Sequence, residues 1–231
     1  MAENGLKEAL EKFGIKKAIS YLRKDPEKNL PKLMDMIDKA DKDNIFAAAR
    51  YSFHQAIDDP GSNWNKLIFH VVKEIDPHIL ETFFPNFFMN STFIGGQKQM
   101  EYRKKYGCNV PWAILLDPTS ACNLHCTGCW AAEYGNKLNL TFEQLDDIIR
   151  QGKELGTYVY IYSGGEPLVR KADIIRLCEK HSDCAFLAFT NGTLIDDAFA
   201  DEMVRVKNFV PAISIEGFEE ATDYRRGHGT F

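Results

Sequence analysis

The stretch WAILLDPTSACNLHCTGCW, residues 112–130, joins a short β-rich run to a loop that contains three cysteines. Cys122, Cys126 and Cys129 lie within eight residues and account for half of the six cysteines in the chain. Because chemistry in α/β folds gathers in loops at the carboxyl ends of strands, this position favours a functional role. A metal site, a redox dithiol and a disulfide are the candidate explanations.

The β-rich run before the cysteines is the first of four, and amphipathic helices are predicted between them. The runs are WAILLD (112–117), TYVYIYS (157–163), CAFLAFT (184–190) and FVPAISI (209–215). The helices are FEQLDDIIRQGKEL, which opens with a capping box at Thr141 and Gln144, then ADIIRLCEKH and DDAFADEMVRV. Alternation of this kind predicts βα units and a parallel sheet, which fits the start of a barrel or an open doubly wound sheet.

The chain before residue 108 has a different pattern, because its apolar residues recur at helical spacing throughout. We therefore expect a helical N-terminal domain over residues 1–107 and an α/β domain over residues 108–231. The segment FFPNFFMNSTFIGG (83–96) is aromatic-rich and interrupted by Pro85 and two asparagines. Packing against the α/β domain and contact with a lipid are the two interpretations of this segment.

Composition narrows the class of protein. The chain has 231 residues, of which 45% are hydrophobic and 26% charged, and its net charge is −5. These values are typical of a globular protein and argue against a nucleic-acid partner. The sequence shows neither a signal peptide nor an apolar run long enough for a transmembrane segment, so we predict a cytoplasmic location. Thiols stay reduced there, which removes the disulfide explanation.

Three interpretations of the cysteine loop remain. Three soft thiolates without an obvious fourth ligand suit a four-iron four-sulfur (4Fe-4S) cluster with one iron left open. A zinc site is an alternative in which His125 would be the fourth ligand. A redox dithiol would use only Cys126 and Cys129 and would leave Cys122 unexplained. The other cysteines have no cluster spacing and are interpreted as small apolar residues: Cys108, Cys178 and Cys184.

The loop after the second strand, Ser163-Gly164-Gly165-Glu166-Pro167, is the second candidate site. A glycine pair permits positive φ and lets the backbone approach a ligand closely, and Glu166 adds a carboxylate. A tight turn between strand and helix is the alternative explanation.

Together these motifs resemble those of the radical S-adenosylmethionine (SAM) superfamily: CX3CX2C after the first barrel strand and GGEP after the second. The resemblance covers about residues 111–231. It extends to Thr190-Asn191-Gly192 after the third strand and to SIEGFEEATDYRRGHGTF (214–231), which is similar to peptide-modifying and hopanoid-type members. The fold it implies is a partial (β/α)6 TIM-like barrel of about four βα units, preceded by the all-helical N-terminal region.

The resemblance implies an enzyme of oxidoreductase or transferase type with two cofactors, a 4Fe-4S cluster and SAM. The cluster ligands would be Cys122, Cys126 and Cys129, and electron transfer from the cluster would yield a 5′-deoxyadenosyl radical. The residues assigned to SAM are Gly164, Gly165, Glu166, Pro167, Asn191, Ser214, Glu216 and Arg225. Implied partners are an electron donor such as ferredoxin or flavodoxin and an unknown substrate, which could be a peptide, a small molecule or a lipid.

Two of these assignments have alternatives. The residue before the third cysteine is often aromatic in the family and supports the adenine, but here it is Gly128. Trp130 or a tyrosine of TYVYIY is the expected substitute. Arg225 or Arg226 would clamp the SAM carboxylate, and a solvated surface pair is the alternative explanation of these arginines.

The family barrel usually has six βα units, so four strands predict either a fragment or a barrel completed by another chain. The substrate-binding half would then lie elsewhere, and the sequence names the chemistry without naming the substrate. A non-catalytic zinc- or cluster-binding interaction module and an inactive truncated product are the competing functional hypotheses.

Overall fold

The computed structural model describes residue 14 and residues 16–40 and 47–231. Contacts divide the chain into two compact units, Met1–Glu81 and Thr82–Phe231. Within the described residues, no helix combines the length and the apolar character that crossing a membrane requires.

The described residues of the first unit form helices that are joined by short turns. Residues 16–24 are helical and are followed by α1 (Pro26–Ala40), α2 (Ala47–Asp58), α3 (Asn63–Glu74) and most of α4 (Pro77–Phe84). The beginning of the predicted helical domain lies outside the described residues, and so does most of the N-terminal segment in which a signal peptide would lie. A small core of Leu30, Met34 and Ile57 joins α1 to α2.

The second unit begins inside a long helical run. After α4 the chain continues through a π-helical stretch (Pro85–Ile94) directly into α5 (Gly95–Tyr106). The chain is helical through Pro85, as expected for the region before residue 108, because a proline at the first position of a helical segment has no N–H that would need a partner. The amide of Asn86 donates to the carbonyls of Ser182 and Cys184, at 2.8 and 2.9 Å, which supports packing as the role of this segment.

The rest of the second unit is built from four βα units. The strands are β1 (Ala113–Leu116), β2 (Val159–Tyr162), β3 (Ala185–Thr190) and β4 (Phe209–Ile213). The helices are α6 (Phe142–Leu155), α7 (Lys171–Lys180), α8 (Asp197–Val206) and α9 (Glu219–Arg226), with 3-10 turns at Trp130–Tyr134 and Pro167–Arg170. All strand pairs are parallel, in the order β1-β2-β3-β4, which confirms the predicted α/β architecture.

The sheet has one covered and one open face, which distinguishes a barrel from a doubly wound sheet. Alternate residues of β2 and β3, among them Tyr160, Tyr162 and Phe186, are buried in the same core as Leu145 and Ile149 of α6. The opposite face carries Leu115 and Phe189, which are 56% and 49% exposed. Helices on one face of a parallel sheet are the arrangement of a partial barrel.

The helical region ends where it was predicted to end, but the compact units divide elsewhere. The described residues before β1 contain helices, and α5 ends at Gly107, which adopts a left-handed φ of 64°. The contacts instead divide the chain after Glu81. The division into domains at residue 107 therefore stays a proposal, whereas residues 82–106 belong to the unit that contains the sheet.

The capping box predicted for α6 is confirmed. The Thr141 hydroxyl accepts a hydrogen bond from the Gln144 backbone N–H at 3.2 Å, and the Gln144 side chain accepts one from the Thr141 N–H at 2.8 Å. The helix ends at Gly156, whose φ of 96° is in the left-handed region. These two signals fix both ends of the helix that follows the cysteine loop.

The glycine pair that opens α5 provides a matched test of the packing. A Cβ at Gly95 would collide with the backbone carbonyl of Gly156, whereas a Cβ at Gly96 would meet no atom within 4 Å. We expect Gly95→Ala to lower the free energy of unfolding by about 1–3 kcal/mol because the backbone cannot move aside. Gly96→Ala should raise it by about 0.5–1 kcal/mol through helix propensity. Urea unfolding followed by circular dichroism measures both, and equal effects would contradict this packing.

Candidate functional site

The loop that carries the cysteines is closed at its base. Thr119 and Asn139 form an antiparallel bridge across the loop, and the Thr119 hydroxyl donates to the Asn139 side-chain oxygen at 2.6 Å. The Ser120 N–H donates to the Leu138 carbonyl at 2.8 Å, and the Leu138 N–H returns a bond to the Ser120 hydroxyl at 3.1 Å. The cysteines therefore lie on a loop whose two ends are fixed beside the end of β1.

The three thiols lie partly buried on this loop. The Leu124 N–H donates to the Cys122 sulfur at 3.4 Å, and the Cys129 N–H donates to the Cys126 carbonyl at 3.2 Å. Burial raises the pKa of the Cys122 thiol; the Leu124 N–H opposes this effect, and the negative charge of Glu166 adds to it. Among the described residues, no three Cys, His, Asp or Glu side chains converge at metal-binding distance.

The donor set fits an iron–sulfur cluster by its chemistry. Three thiols on one loop supply soft ligands, which bind metal as thiolates, and a backbone N–H already points at one sulfur. His125, the fourth ligand of the zinc alternative, is exposed to solvent. The other three cysteines lie away from the loop in sequence; Cys178 and Cys184 are buried in the core and Cys108 is exposed.

The glycine pair after β2 packs against the start of the cysteine loop. The Gly165 N–H donates to the Thr119 carbonyl at 3.0 Å, and the Glu166 N–H donates to the Ala121 carbonyl at 2.8 Å. Gly164 has a φ of 107°, and a Cβ there would lie 2.6 Å from the Thr119 oxygen. A Cβ on Gly165 would collide with the Ala121 carbonyl. The backbone that these glycines approach closely in the structure is therefore the chain's own.

Glu166 has a structural role that the sequence did not indicate. Its side chain is only 1% exposed, and it precedes Pro167, the first residue of a 3-10 turn. One carboxylate oxygen accepts from the Leu168 N–H at 2.9 Å and from the Thr190 hydroxyl at 2.7 Å. The other accepts from the Asn191 N–H at 2.8 Å. The carboxylate thus joins the loop after β2 to the loop after β3.

Asn191 connects the loop after β3 to the cysteine loop. Its side-chain amide donates to the side-chain oxygen of Asn123 at 2.9 Å, and Asn123 directly follows the first cysteine of the motif. Asn191 was predicted to contact the cofactor, but in the structure its side chain contacts the loop that would hold the cofactor.

Two of the residues assigned to SAM, Ser214 and Glu216, lie just beyond β4. The strand ends at Ile213, so Ser214 follows the strand, whereas the predicted strand extended to residue 215. The Ser214 N–H still donates to the Thr190 carbonyl at 2.8 Å, which continues the strand ladder. Thr190 pairs with Ile213 and is buried on the helix-covered side, so alternation puts Ser214 on the open face.

Glu216 forms an ion pair with both neighbouring arginines. Arg225 contacts one carboxylate oxygen at 2.8 Å and Arg226 contacts the other at 2.6 Å. The hydrogen bond from Arg226 is the main reason that the pKa of Glu216 lies below its ordinary value. The side chain of Arg226 is 13% exposed, so the explanation of the arginines as a solvated surface pair is wrong for this residue. The carbonyl of Arg225 accepts the Thr127 N–H of the cysteine loop at 2.7 Å.

The structure excludes one of the two candidates for the adenine contact. The tyrosines of TYVYIY lie in the core cluster and are at most 8% exposed: Tyr158, Tyr160 and Tyr162. The prediction that one of them substitutes for the missing aromatic residue is therefore wrong, because alternation turns them toward the helices. Trp130 is 63% exposed and makes an edge contact with Tyr134, and it stays the candidate beside Gly128.

The loops that follow β2 and β3 therefore contact the cysteine loop, and so does Arg225 of α9, which follows β4. Sequence reasoning missed the side chains that make two of these connections, namely Asn123 and Thr190. The signal was available, because both are hydrogen-bonding residues at the same edge of a parallel sheet. Neither residue belongs to a ligand motif, because each contacts another loop of the same chain.

Half of the chain matches a protein-family model. A family model described as the Radical SAM superfamily matches residues 116–231, which is 116 of the 231 residues. The matched region begins at the last residue of β1 and includes the cysteine loop, the Gly-Gly-Glu-Pro loop and the end of β4.

Individual proteins are similar to the same region. An uncharacterised protein of Archaeoglobus fulgidus is 32% identical over 121 residues, which are 50% of this chain and 28% of that protein. The Fe-coproporphyrin III synthase of Methanosarcina barkeri is 32% identical over 120 residues, which are 49% of this chain and 29% of that protein. The chain thus spans less than a third of the length of these relatives. A structure of Streptococcus suis SuiB bound to S-adenosylmethionine has a TM-score of 0.49 at 21% identity and covers 79% of this chain and 41% of that chain.

The free energy of unfolding tests the role of Glu166. Glu166→Ala should lower the free energy of unfolding by about 3 kcal/mol, because it leaves two buried donors and one partly buried donor without their charged acceptor. The control is Glu154→Ala, which removes an exposed carboxylate that pairs with Arg150, and it should cost about 0.5 kcal/mol or less. Urea unfolding of both variants measures the difference. Equal costs would refute the assignment of Glu166 as the residue that joins the loops.

Proposed function

Because the chain belongs to the radical SAM superfamily, we propose that it cleaves SAM reductively at a 4Fe-4S cluster and delivers a 5′-deoxyadenosyl radical to an organic substrate. Membership of the family implies both cofactors. The observation that carries the proposal is the contact between the cysteine loop and the Gly-Gly-Glu-Pro loop through two backbone hydrogen bonds, of 3.0 and 2.8 Å. These are the loops that bring cluster ligands and SAM ligands to one edge of the sheet.

Cys122, Cys126 and Cys129 are the proposed cluster ligands. When bound, the cluster supplies one electron that breaks a carbon–sulfur bond of SAM, which leaves methionine and the 5′-deoxyadenosyl radical. The chain would hold the cluster through three thiolates, which would leave one iron without a protein ligand and free to bind the amino and carboxylate groups of SAM. The proposal is supported by the position of all three thiols on one closed loop and by their partial burial.

We propose that the loop Gly164–Pro167 meets the ammonium group of SAM. The carboxylate of Glu166 is occupied by three hydrogen bonds from its own chain, but its negative charge still favours a cation nearby. The physical role of Glu166 is then twofold, since it fixes two loops and supplies the charge that the ammonium needs.

We propose that the region after β4, together with Asn191, binds the ribose and carboxylate of SAM. Ser214 is on the open face of the sheet, as a ribose contact requires. Each oxygen of Glu216 has one arginine partner, and a carboxylate oxygen can accept a second hydrogen bond, so ribose hydroxyls can still donate to it. Arg225 has further guanidinium N–H groups that can bind the SAM carboxylate.

The electron must come from outside this chain, and we propose a donor such as ferredoxin or flavodoxin. We propose the cytoplasm as the compartment, which is supported by six cysteines that are all free. The substrate is an organic molecule that either loses a hydrogen atom to the radical or accepts the adenosyl group. The names of the relatives do not identify this substrate, because the chain covers less than a third of those proteins.

Metal analysis of anaerobically reconstituted protein tests the proposal. We expect about four irons per chain and visible absorption for the wild type, because three thiolates with one open iron correspond to a 4Fe-4S cluster. Alanine substitution of Cys122, Cys126 or Cys129 should abolish the absorption. The control variants are Cys108→Ala, at an exposed position, and Cys178→Ala, in the core, and both should retain it.

Two results would contradict the proposal. One is stoichiometric zinc with no visible absorption, which would favour the zinc-binding interaction module. The other is loss of iron from Cys108→Ala to the same extent as from Cys122→Ala, which would mean that the spacing of the cysteines does not select the ligands.

A further inference from the structure

Three side chains near the first cysteine form a closed ring of hydrogen bonds. The amide of Asn191 donates to the side-chain oxygen of Asn123 at 2.9 Å. The amide of Asn123 donates to the Thr193 hydroxyl at 2.8 Å, and that hydroxyl donates to the side-chain oxygen of Asn191 at 2.7 Å. Each side chain gives one hydrogen bond and receives one within the ring.

The ring imposes a strict chemical requirement on residue 123. Its side chain must donate through one atom and accept through another at the same time, which an amide does and a carboxylate or a hydrocarbon does not. Hydrogen bonds arranged head to tail also polarise one another, which strengthens a closed ring relative to three separate bonds. This matters because Asn123 and Thr193 are exposed, where single hydrogen bonds compete with water.

The ring is continuous with the buried contacts of the site. Asn123 lies between Cys122 and Leu124, whose N–H points at the Cys122 sulfur. On the other side, the backbone N–H of Asn191 donates to the carboxylate of Glu166. A displacement of the cysteine loop at this point would therefore break the ring before it disturbed the buried carboxylate.

We propose that Asn123 is a positioning residue, which holds the cluster-binding loop against the loop after β3 through its ring with Asn191 and Thr193. It acts through the backbone of Cys122 and touches neither the metal nor the substrate. The ring thereby keeps the first cysteine in place and slows the loss of the cluster. The role in cluster retention rests on the proposed function, whereas immobilisation of the loop does not.

The experiment uses the full chain in two states. In the apo-protein, hydrogen–deuterium exchange of residues 122–129 should be about fivefold faster in Asn123→Ala and in Thr193→Val than in the wild type, as expected from the loss of a hydrogen bond. In the anaerobically reconstituted protein, the visible absorption should decay about fivefold faster in a chelator for the same variants. The electron paramagnetic resonance spectrum of the reduced cluster should broaden as the first ligand gains freedom.

Two matched controls distinguish the ring from general damage. Thr193→Ser keeps the hydroxyl and should behave as the wild type in both measurements. Asn136→Ala makes the same substitution at an exposed position outside the ring and should have no effect. The double variant Asn123→Ala with Thr193→Val should be no worse than either single variant, because one break already opens the ring.

Unchanged exchange in Asn123→Ala would overturn the proposal, and so would faster exchange with unchanged retention and spectrum of the cluster. Loss of cluster in Thr193→Ser to the extent seen in Thr193→Val would also overturn it. If the wild type binds no iron at all, the proposed function fails and the assigned role in cluster retention fails with it. The exchange measurement would then still report separately whether the ring immobilises the loop.

Discussion

The rest of the site depends on the buried carboxylate of Glu166. A charge that is removed from water is costly unless donors replace the lost hydration, and here two backbone N–H groups and a hydroxyl do so. Those donors come from its own turn and from the loop after β3, while its backbone N–H bonds the start of the cysteine loop. One residue thus connects three loops that are far apart in sequence.

The same constraint explains the residues on either side of Glu166. Its backbone can bond Ala121 only if the preceding residues approach the cysteine loop more closely than a Cβ permits, which requires the two glycines. Pro167 starts the following turn at a position where its missing N–H has no cost. The GGEP motif is therefore a packing solution, because its close contacts are with the backbone of the cysteine loop.

The sequence predicted the architecture well because parallel βα units have strong local signals. The four strands and the capping box of α6 were found from periodicity and end signals, and the cysteine and glycine loops were correctly expected at the carboxyl ends of strands.

The site was less predictable, because contacts between loops such as Asn123 with Asn191 join residues 68 apart and leave no local pattern. The ion pair between Glu216 and Arg225 was not predicted either, because the sequence does not reveal which polar groups pair with one another.

The central claim is that this arrangement of loops brings SAM to the one iron without a cysteine ligand, in a cluster that three cysteines would hold. The most direct test is a titration with SAM, followed by electron paramagnetic resonance of the reduced cluster in the anaerobically reconstituted chain. The account predicts that SAM shifts the signal saturably, because its amino and carboxylate groups bind the iron that lacks a cysteine. A signal that stays unchanged at saturating SAM, in protein with a full complement of iron, would contradict it.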